Sequence, residues 1–371
     1  MRIIMAFVSL MILYFMIQKI FKNRWCKDLS VTVKCNCDFV YEGEQLELVE
    51  VIENRKYLPI SALKVKFSTA KEWDFGEDSV TTTDKYYRND IFSVGSYEKI
   101  TRRLPFVCKK RGYYVLGDMD IFASDFFYSH EYLQRQKGRQ WVYVFPKRVH
   151  RPEINVLLQK TMGVIDVKKS LYEDPFSFGG IRDYQPFDSM KRVNWKASAK
   201  TGELKVNQLE STKDISVRIV LFFEELVAAR RVELEEYCIS LGATLAEYFL
   251  GERISVSLDC NGCDKETGNG ISIGLGSGDY HMRNIDEGLA RIDLEQAGRK
   301  IEESANLFPK DMKMYDLCFV VSGCQSLEFQ KMLLKEKEER SLYWVLPCYE
   351  HEKLSIQKDL QENLVTLLIE N

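Results

Sequence analysis

The N-terminal run of apolar residues constrains this chain more than any other feature. From Ile3 to Ile17 every residue is apolar or aromatic apart from Ser9, and Ile20 and Phe21 carry the run past Gln18 and Lys19. A helix rises about 1.5 Å per residue, so Ile3 to Phe21 measures roughly 28 Å, close to the ~30 Å hydrocarbon core of a bilayer. The Lys19 side chain can reach the headgroups along its own stem. A cleaved signal would need small residues before its cleavage point, but Lys22, Asn23, Arg24 and Trp25 stand there instead, and Cys26 lacks the small residues of a lipoprotein signal. Residues 1–24 therefore read as an uncleaved, single-pass transmembrane anchor. Lys19, Lys22, Arg24 and Lys27 lie on its C-terminal side and only Arg2 and the terminal amine precede it. The positive-inside rule then places the rest of the chain on the cytoplasmic side of the cell membrane.

Beyond the anchor, a chain of 371 residues is too long for one typical core and predicts two soluble domains. The net charge of −3 gives no overall field that would gather nucleic acid, and no nucleic-acid partner is expected. Ten irregularly spaced cysteines in so long a chain do not resemble a disulfide framework and fit a reducing compartment.

Residues 29–148 alternate with period two. "LSVTVKC", "EQLELVEVI", "ISALKVKF", "YEKITRRLPF", "YYVLGDMDIF" and "QWVYVF" read as strands parted by Glu42-Gly43, Asn54-Arg55, Gly76, Gly95 and Arg111-Gly112. Six or seven short strands with no helical period between them predict an all-β, immunoglobulin-like sandwich. Residues 149–212 read as an irregular connecting segment, dense in charge and turn residues. From 213 to 371 strand and helix alternate. "ISVRIVLFF" is an apolar strand; Leu234, Cys238, Leu241, Leu245 and Phe249 mark a helix; Ile285, Leu289 and Ile292 mark another between His281 and Asp293; "YDLCFVVSG", "QSLEFQKMLLKEKEE" and "SLYWVLPC" complete the series. Such alternation predicts an α/β domain with a mainly parallel, doubly covered sheet.

The most distinctive stretch is "FGGIRDYQPFDSMKRVNWKASAKTGELKV", Phe178 to Val206. It resembles the signature of the bacterial family catalogued as domain of unknown function fifty-eight, membrane proteins associated with MoxR-type AAA+ ATPases. Arg182, Tyr184, Pro186, Asp188, Arg192, Trp195, Ser198, Ala199 and Lys200 match that signature in order, with Phe187 where glycine is usual. "EGEQLELVEVIENRKYLPISALKV", "KKRGYYVLGDMDIFASDFF" and "WVYVFPKRV" resemble the family's sandwich, and "LGSGDYHMRNIDEGLARI" resembles the loop and helix of its von Willebrand factor A-like part. The single span departs from the two-helix hairpin that similar proteins often carry. The resemblance implies a multi-domain protein: transmembrane helix, β-sandwich and von Willebrand factor A-like α/β domain. It also implies a non-enzymatic scaffold or adaptor with a MoxR-type AAA+ ATPase as partner; other membrane proteins are further candidates.

Within the signature, Arg182, Lys191, Arg192, Lys196, Lys200 and Lys205 mix with Asp183, Asp188 and Glu203. The plainer reading is a salt-bridged connector between domains. The sharper one is a docking patch of Arg182, Tyr184, Pro186, Asp188, Arg192, Trp195, Ser198 and Lys200, since Arg and Trp anchor interfaces. An alternative from another class takes Asp188, Glu203 and Lys205 as the metal-holding and water-positioning set of a phosphodiesterase or nuclease, a loose pattern in so charged a chain.

Other candidates are weaker. A Mg²⁺-binding von Willebrand factor A loop needs clustered hydroxyl and carboxylate oxygens, yet no Ser or Thr occurs between Val217 and Ile239, which leaves Glu224 and Glu225 as the acidic start of a helix. Cys260-Asn261-Gly262-Cys263 has redox or half-zinc spacing without a second half, and reads as two loop cysteines. "GLGSG", Gly274 to Gly278, lacks the setting of a dinucleotide loop and reads as a turn. His130, His150, His281 and His351 assemble no triad with a nucleophile. No cofactor and no metal is expected.

Overall fold

The computed structural model describes residues 2–76, 81–82, 85–171, 173–186, 188–211, 215–224, 231–294, 308, 316–352 and 354–369. Phe187 and Glu225, both weighed above, lie outside the described residues. The chain forms two units, Met1–Lys147 and Arg148–Asn371.

The first unit begins with helix α1 (Arg2–Arg24), whose stretch Ile3–Arg24 is long and apolar enough to cross a membrane. Its N-terminal part exposes Ile3, Phe7, Leu10 and Met11, whereas Phe21 and the subsequent Trp25 are buried. The strands described after it are β1 (Leu29–Cys35), β2 (Phe39–Tyr41), β3 (Gln45–Asn54), β4 (Ile60–Ala70), β5 (Trp73–Asp74), β6 (Thr81–Thr82), β7 (Lys85–Val94), β8 (Lys99–Cys108), β9 (Gly112–Leu116), β10 (Met119–Ser124), β11 (Glu131–Gln136) and β12 (Gln140–Phe145). They make two antiparallel sheets, β1-β3-β8-β5 and β11-β10-β4-β7-β6, and a smaller one, β2-β12-β9. Five of the six runs seen in the sequence are single strands, whereas "YYVLGDMDIF" divides at Gly117-Asp118 into β9 and β10, which belong to different sheets. β7 and β11 are further strands that the period does not announce, and other additional strands are pieces of two or three residues.

Alternation sets the inner faces of this sandwich. Along β3, Leu46, Leu48, Glu50, Ile52 and Asn54 point inward, and along β4 Ile60, Leu63, Val65, Phe67 and Thr69 do. Trp73 stacks on Phe106 with centroids 4.7 Å apart at the centre of the same core. A glutamate on the inward row is costly unless paired. Arg102 from β8 pairs Glu50 at 2.8 Å and also Asp90 of β7, which Arg88 holds from the other side at 3.2 Å. Asn54 donates its buried amide to the carbonyls of Leu58 and Gly95, which closes the turn after β3.

The second unit corrects the expectation of an irregular connector over 149–212. It opens with helix α2 (Pro152–Leu171), whose Ile154, Leu157, Leu158 and Ile165 enter the main core of the unit. The 3–4 spacing of these residues and Pro152 at the first helical position are a helix signal that the surrounding charge conceals. Arg148, placed above at the end of the sandwich, belongs here too: its guanidinium donates to Glu247 at 3.1 Å and Asp286 at 2.8 Å, and the Val149 amide donates to Thr244. A two-stranded hairpin comes next, β13 (Glu173–Asp183) with β14 (Lys205–Ser211), and between them lie a 3₁₀ turn (Met190–Arg192) and helix α3 (Trp195–Thr201).

The remaining elements are β15 (Ser216–Leu221), α4 (Arg231–Gly251), β16 (Ser255–Asp264), β17 (Gly270–Gly276), α5 (Asp279–Arg291), β18 (Ile292–Asp293), β19 (Leu317–Val321), α6 (Leu327–Glu339), β20 (Ser341–Tyr349) and β21 (Leu364–Ile369). Their sheet has the order β17-β16-β15-β19-β20-β21, all parallel except edge strand β17, with β18 paired to β16. Every residue of β15 and β19 is buried, as a sheet covered on both faces requires. Val217, Ile219 and Leu221 face the core containing α2, α4 and α5; Val220, Phe222 and Val320 face the one containing α6. Ile292, assigned above to the helix, falls in β18 just past its end.

Candidate functional site

The signature residues gather into one small module carried by the β13–β14 hairpin. Its inside is closed by hydrogen bonds that the order of residue types makes possible. Arg182, at the end of β13, clasps Asp188 with two parallel bonds of 2.6 Å, and the same carboxylate accepts the Gln185 amide at 2.8 Å. Asp188 thereby fixes the turn through Pro186, and the Arg182 guanidinium together with the Gln185 amide holds its carboxyl below the usual carboxylate range. The Tyr184 amide donates to the Leu204 carbonyl, joining the two ends of the excursion.

Helix α3 is anchored in the same way. Asn194 caps it by accepting the Ala197 amide, and its own amide donates to Asn207 of β14 at 2.7 Å. Ser198, buried, donates to the Asn194 carbonyl and accepts the Lys205 amide at 2.8 Å. Gly202 ends the helix at φ 75°, a left-handed conformation that favours glycine. Beneath these bonds Val193 bridges to Val206, both buried.

The outer face carries the remaining members. Trp195 is 64% exposed and Met190 54%, with Lys191, Lys196 and Lys200 exposed beside them in the chain. Asp188 and Ser198 thus act inside the module and Arg182 braces it with a partly exposed side chain, whereas Trp195 and Lys200 face outward and Arg192 is half-buried. The sequence order recognises the set; only the fold separates its structural members from its surface members.

The alternative set is brought near but not into a metal-binding arrangement. Asp188 is committed to Arg182, and the Lys205 ammonium pairs with Asp183 and, at 3.5 Å, with Glu203. Among the described residues no group of three or more His, Cys, Asp or Glu side chains lies together as cation ligands would.

The other place to look for a ligand is the C-terminal edge of the parallel sheet, where strand order reverses between β15 and β19. Phe222 there stacks on Phe329 of α6 at 4.5 Å. The Asn261 side chain accepts the Phe223 amide and donates to the Phe223 carbonyl, both at 2.7 Å. Ser322 accepts the Cys324 amide, and Ser326 caps α6. These polar groups of the edge are turned onto backbone.

The cysteine pair lies on a strand rather than in a loop: Cys260 and Cys263 belong to β16, where an irregular register between them accommodates the extra residues. Cys260 is buried and accepts the Gly262 amide. The described residues include all ten cysteines, and none of them is joined in a disulfide. "GLGSG" spans the end of β17 and Gly278, which sits at φ 82° immediately before α5. His281 bonds the Val256 carbonyl at 2.8 Å.

Sequence reasoning missed two charged clusters, Arg148 with Glu247 and Asp286, and Glu50 with Arg102 and Asp90. Members of each stand far apart in the chain, so no local spacing announces them.

No family model and no curated protein matches this chain. Among solved structures it is similar to the cohesin module of a family 33 glycoside hydrolase from Clostridium perfringens, at 16% identity over 31% of this chain and 96% of that one, with a TM-score of 0.26. It is also similar to the CARDB domain of a Pyrococcus furiosus protein in complex with di-metal ions, at 16% identity over 32% and 90% of the two chains, TM-score 0.22. A third is the alkylpurine DNA glycosylase AlkC of Pseudomonas fluorescens bound to DNA, at 10% identity over 30% of each chain, TM-score 0.19. Likenesses this slight say nothing about chemistry.

Proposed function

We propose that this chain is a membrane-anchored, non-enzymatic scaffold or adaptor whose signature module, Arg182 to Lys200, docks a protein partner. One observation carries the reading: Trp195 and Met190 stand exposed on a module that is braced from within by Arg182–Asp188, Asn194–Asn207 and Ser198–Lys205. A pre-organised aromatic with long cationic side chains around it is the composition of an interface anchor with steering charge. By the resemblance of the signature the partner is a MoxR-type AAA+ ATPase. The anchor in this reading is α1, and the cations after it support a cytoplasmic position for both units. The antiparallel two-sheet core supports an immunoglobulin-like sandwich, and the mainly parallel sheet with helices on both faces supports a von Willebrand factor A-like second domain.

The test is crosslinking and capture from membranes with the full chain as bait, alongside Trp195→Ala. The variant should keep its melting temperature, because surface substitutions usually stay within about 0.5 kcal/mol, and lose at least about 2 kcal/mol of partner affinity. Mg²⁺- or Mn²⁺-dependent cleavage of DNA or RNA by the parent, abolished in Asp188→Asn with fold and capture intact, would overturn this reading in favour of the nuclease.

A further inference from the structure

The connection between β10 and β11 presents three consecutive aromatic residues beside α1, and its construction is unusual for a solvent loop. Asp125, buried, is its hub: the carboxylate accepts the amides of Phe127, Ser129 and His130 at 3.1, 2.8 and 3.2 Å. Backbone bonds from Asp125 to His130 and from Tyr128 to Asp125 close the loop, and Tyr128 is held at φ 54°. The result is a fixed tip that leaves Phe126 37%, Phe127 51% and Tyr128 66% exposed. Three aromatics in a row on a braced tip form an apolar surface that water does not favour.

The position of this tip along α1 says what covers it. Gln18 of α1 donates to the Asp125 carboxylate at 2.9 Å, Tyr14 donates to Ser129 at 3.1 Å, and the Tyr14 ring packs on Phe127 with centroids 5.0 Å apart. Phe21, further along the helix, packs on Phe126 and Tyr132. The tip therefore lies alongside residues 14–18, whereas the apolar stretch of the helix continues to Phe21. Phe21 itself is buried against Phe126 and Tyr132, so the lipid-facing length of the helix ends alongside the tip at residues 14–18, and immersing that length brings the tip to the membrane surface as well. Aromatic residues with one apolar body and one polar end favour the headgroup boundary, where Trp and Tyr collect.

We propose that the Phe126–Tyr128 loop is a second membrane contact, seated in the interface of the leaflet that faces the soluble units, and that it fixes the orientation of the sandwich on the bilayer. This rests on α1 spanning the membrane. The chain then holds the membrane at two points, and the Asp125–Gln18 bond couples them.

The experiment uses the full chain reconstituted in phosphatidylcholine–phosphatidylglycerol vesicles whose acyl chains are brominated either near the headgroup or near the chain end, bromine being a contact quencher of tryptophan. Phe127→Trp reports the loop and Phe7→Trp reports the helix, each read as fluorescence in excess of the parent. The expected result is loss of the added emission in Phe127→Trp, greater with bromine near the headgroup, while Phe7→Trp is quenched more by bromine near the chain end. If the helix reporter is quenched and the loop reporter is not, the loop is not a membrane contact, while α1 still spans. If neither is quenched, the anchor reading fails and takes this proposal with it.

Discussion

At the scale of single residues, burial changes what a side chain means. Glu50 shares a face of the strand "QLELVEVIEN" with Leu46, Leu48 and Ile52, and the structure turns that face inward, the glutamate with it. Burial and the nearby Asp90 charge push the Glu50 carboxyl up to about 7, against the opposing pull of Arg102. Asp90 goes the other way: burial works against its ionisation, but hydrogen bonds from Arg88 and Arg102 prevail and hold it below its ordinary value. One carboxylate of the pair takes the charge and its neighbour keeps the proton more readily. For an acid raised in this way the folded state binds more protons than the unfolded one. Its stability contribution is thus fully present below the ordinary glutamate value of 4.5 and is lost as pH rises to about 7. Relative to Glu50→Gln, which has no proton to lose, the parent should therefore lose melting temperature across that window, as read by thermal unfolding of both proteins in detergent. A constant difference between the two would contradict the assignment. Asp188 illustrates the reverse case, a carboxylate whose sequence setting allowed a metal ligand and which the fold commits to Arg182.

At the scale of elements, packing decides between readings that local pattern leaves equal. Helix α2 is hard to read in the sequence because its apolar stripe sits among charges, and it exists because Ile154, Leu157, Leu158 and Ile165 find the core of the second unit. By contrast α4 is plain in the sequence: Leu234, Cys238, Leu241, Leu245 and Phe249 are all buried, as their spacing predicts. Asn261 ties two elements, its side chain filling the backbone bonds that the chain leaving β15 cannot make to a strand. Asn261→Ala would strand a buried amide and a buried carbonyl, each at about 1–3 kcal/mol. A unit of this size should then melt roughly 5–20 °C lower. Differential scanning calorimetry checks this, and an unchanged transition would mean that water replaces the side chain.

For the whole molecule, the charge asymmetry about α1 yields the topology prediction. In intact cells both soluble units should survive added protease and be digested only after lysis; digestion without lysis would place them outside. The sequence by itself determined what depends on neighbours in the chain. The apolar N-terminal run, the period-two strands, the alternation of strand and helix after residue 213 and the order of the signature residues all follow from local periodicity and residue type. The tertiary structure alone decided which groups meet across long separations. It assigned residues 148–171 to the second unit, paired Glu50 with Arg102, brought Asp125 to Gln18, and clasped Asp188 with Arg182 while leaving Trp195 exposed. The physical reason is that periodicity reports which face of an element is apolar, whereas the partner of a polar or charged group is fixed by which elements come together, and that leaves no local trace in the sequence.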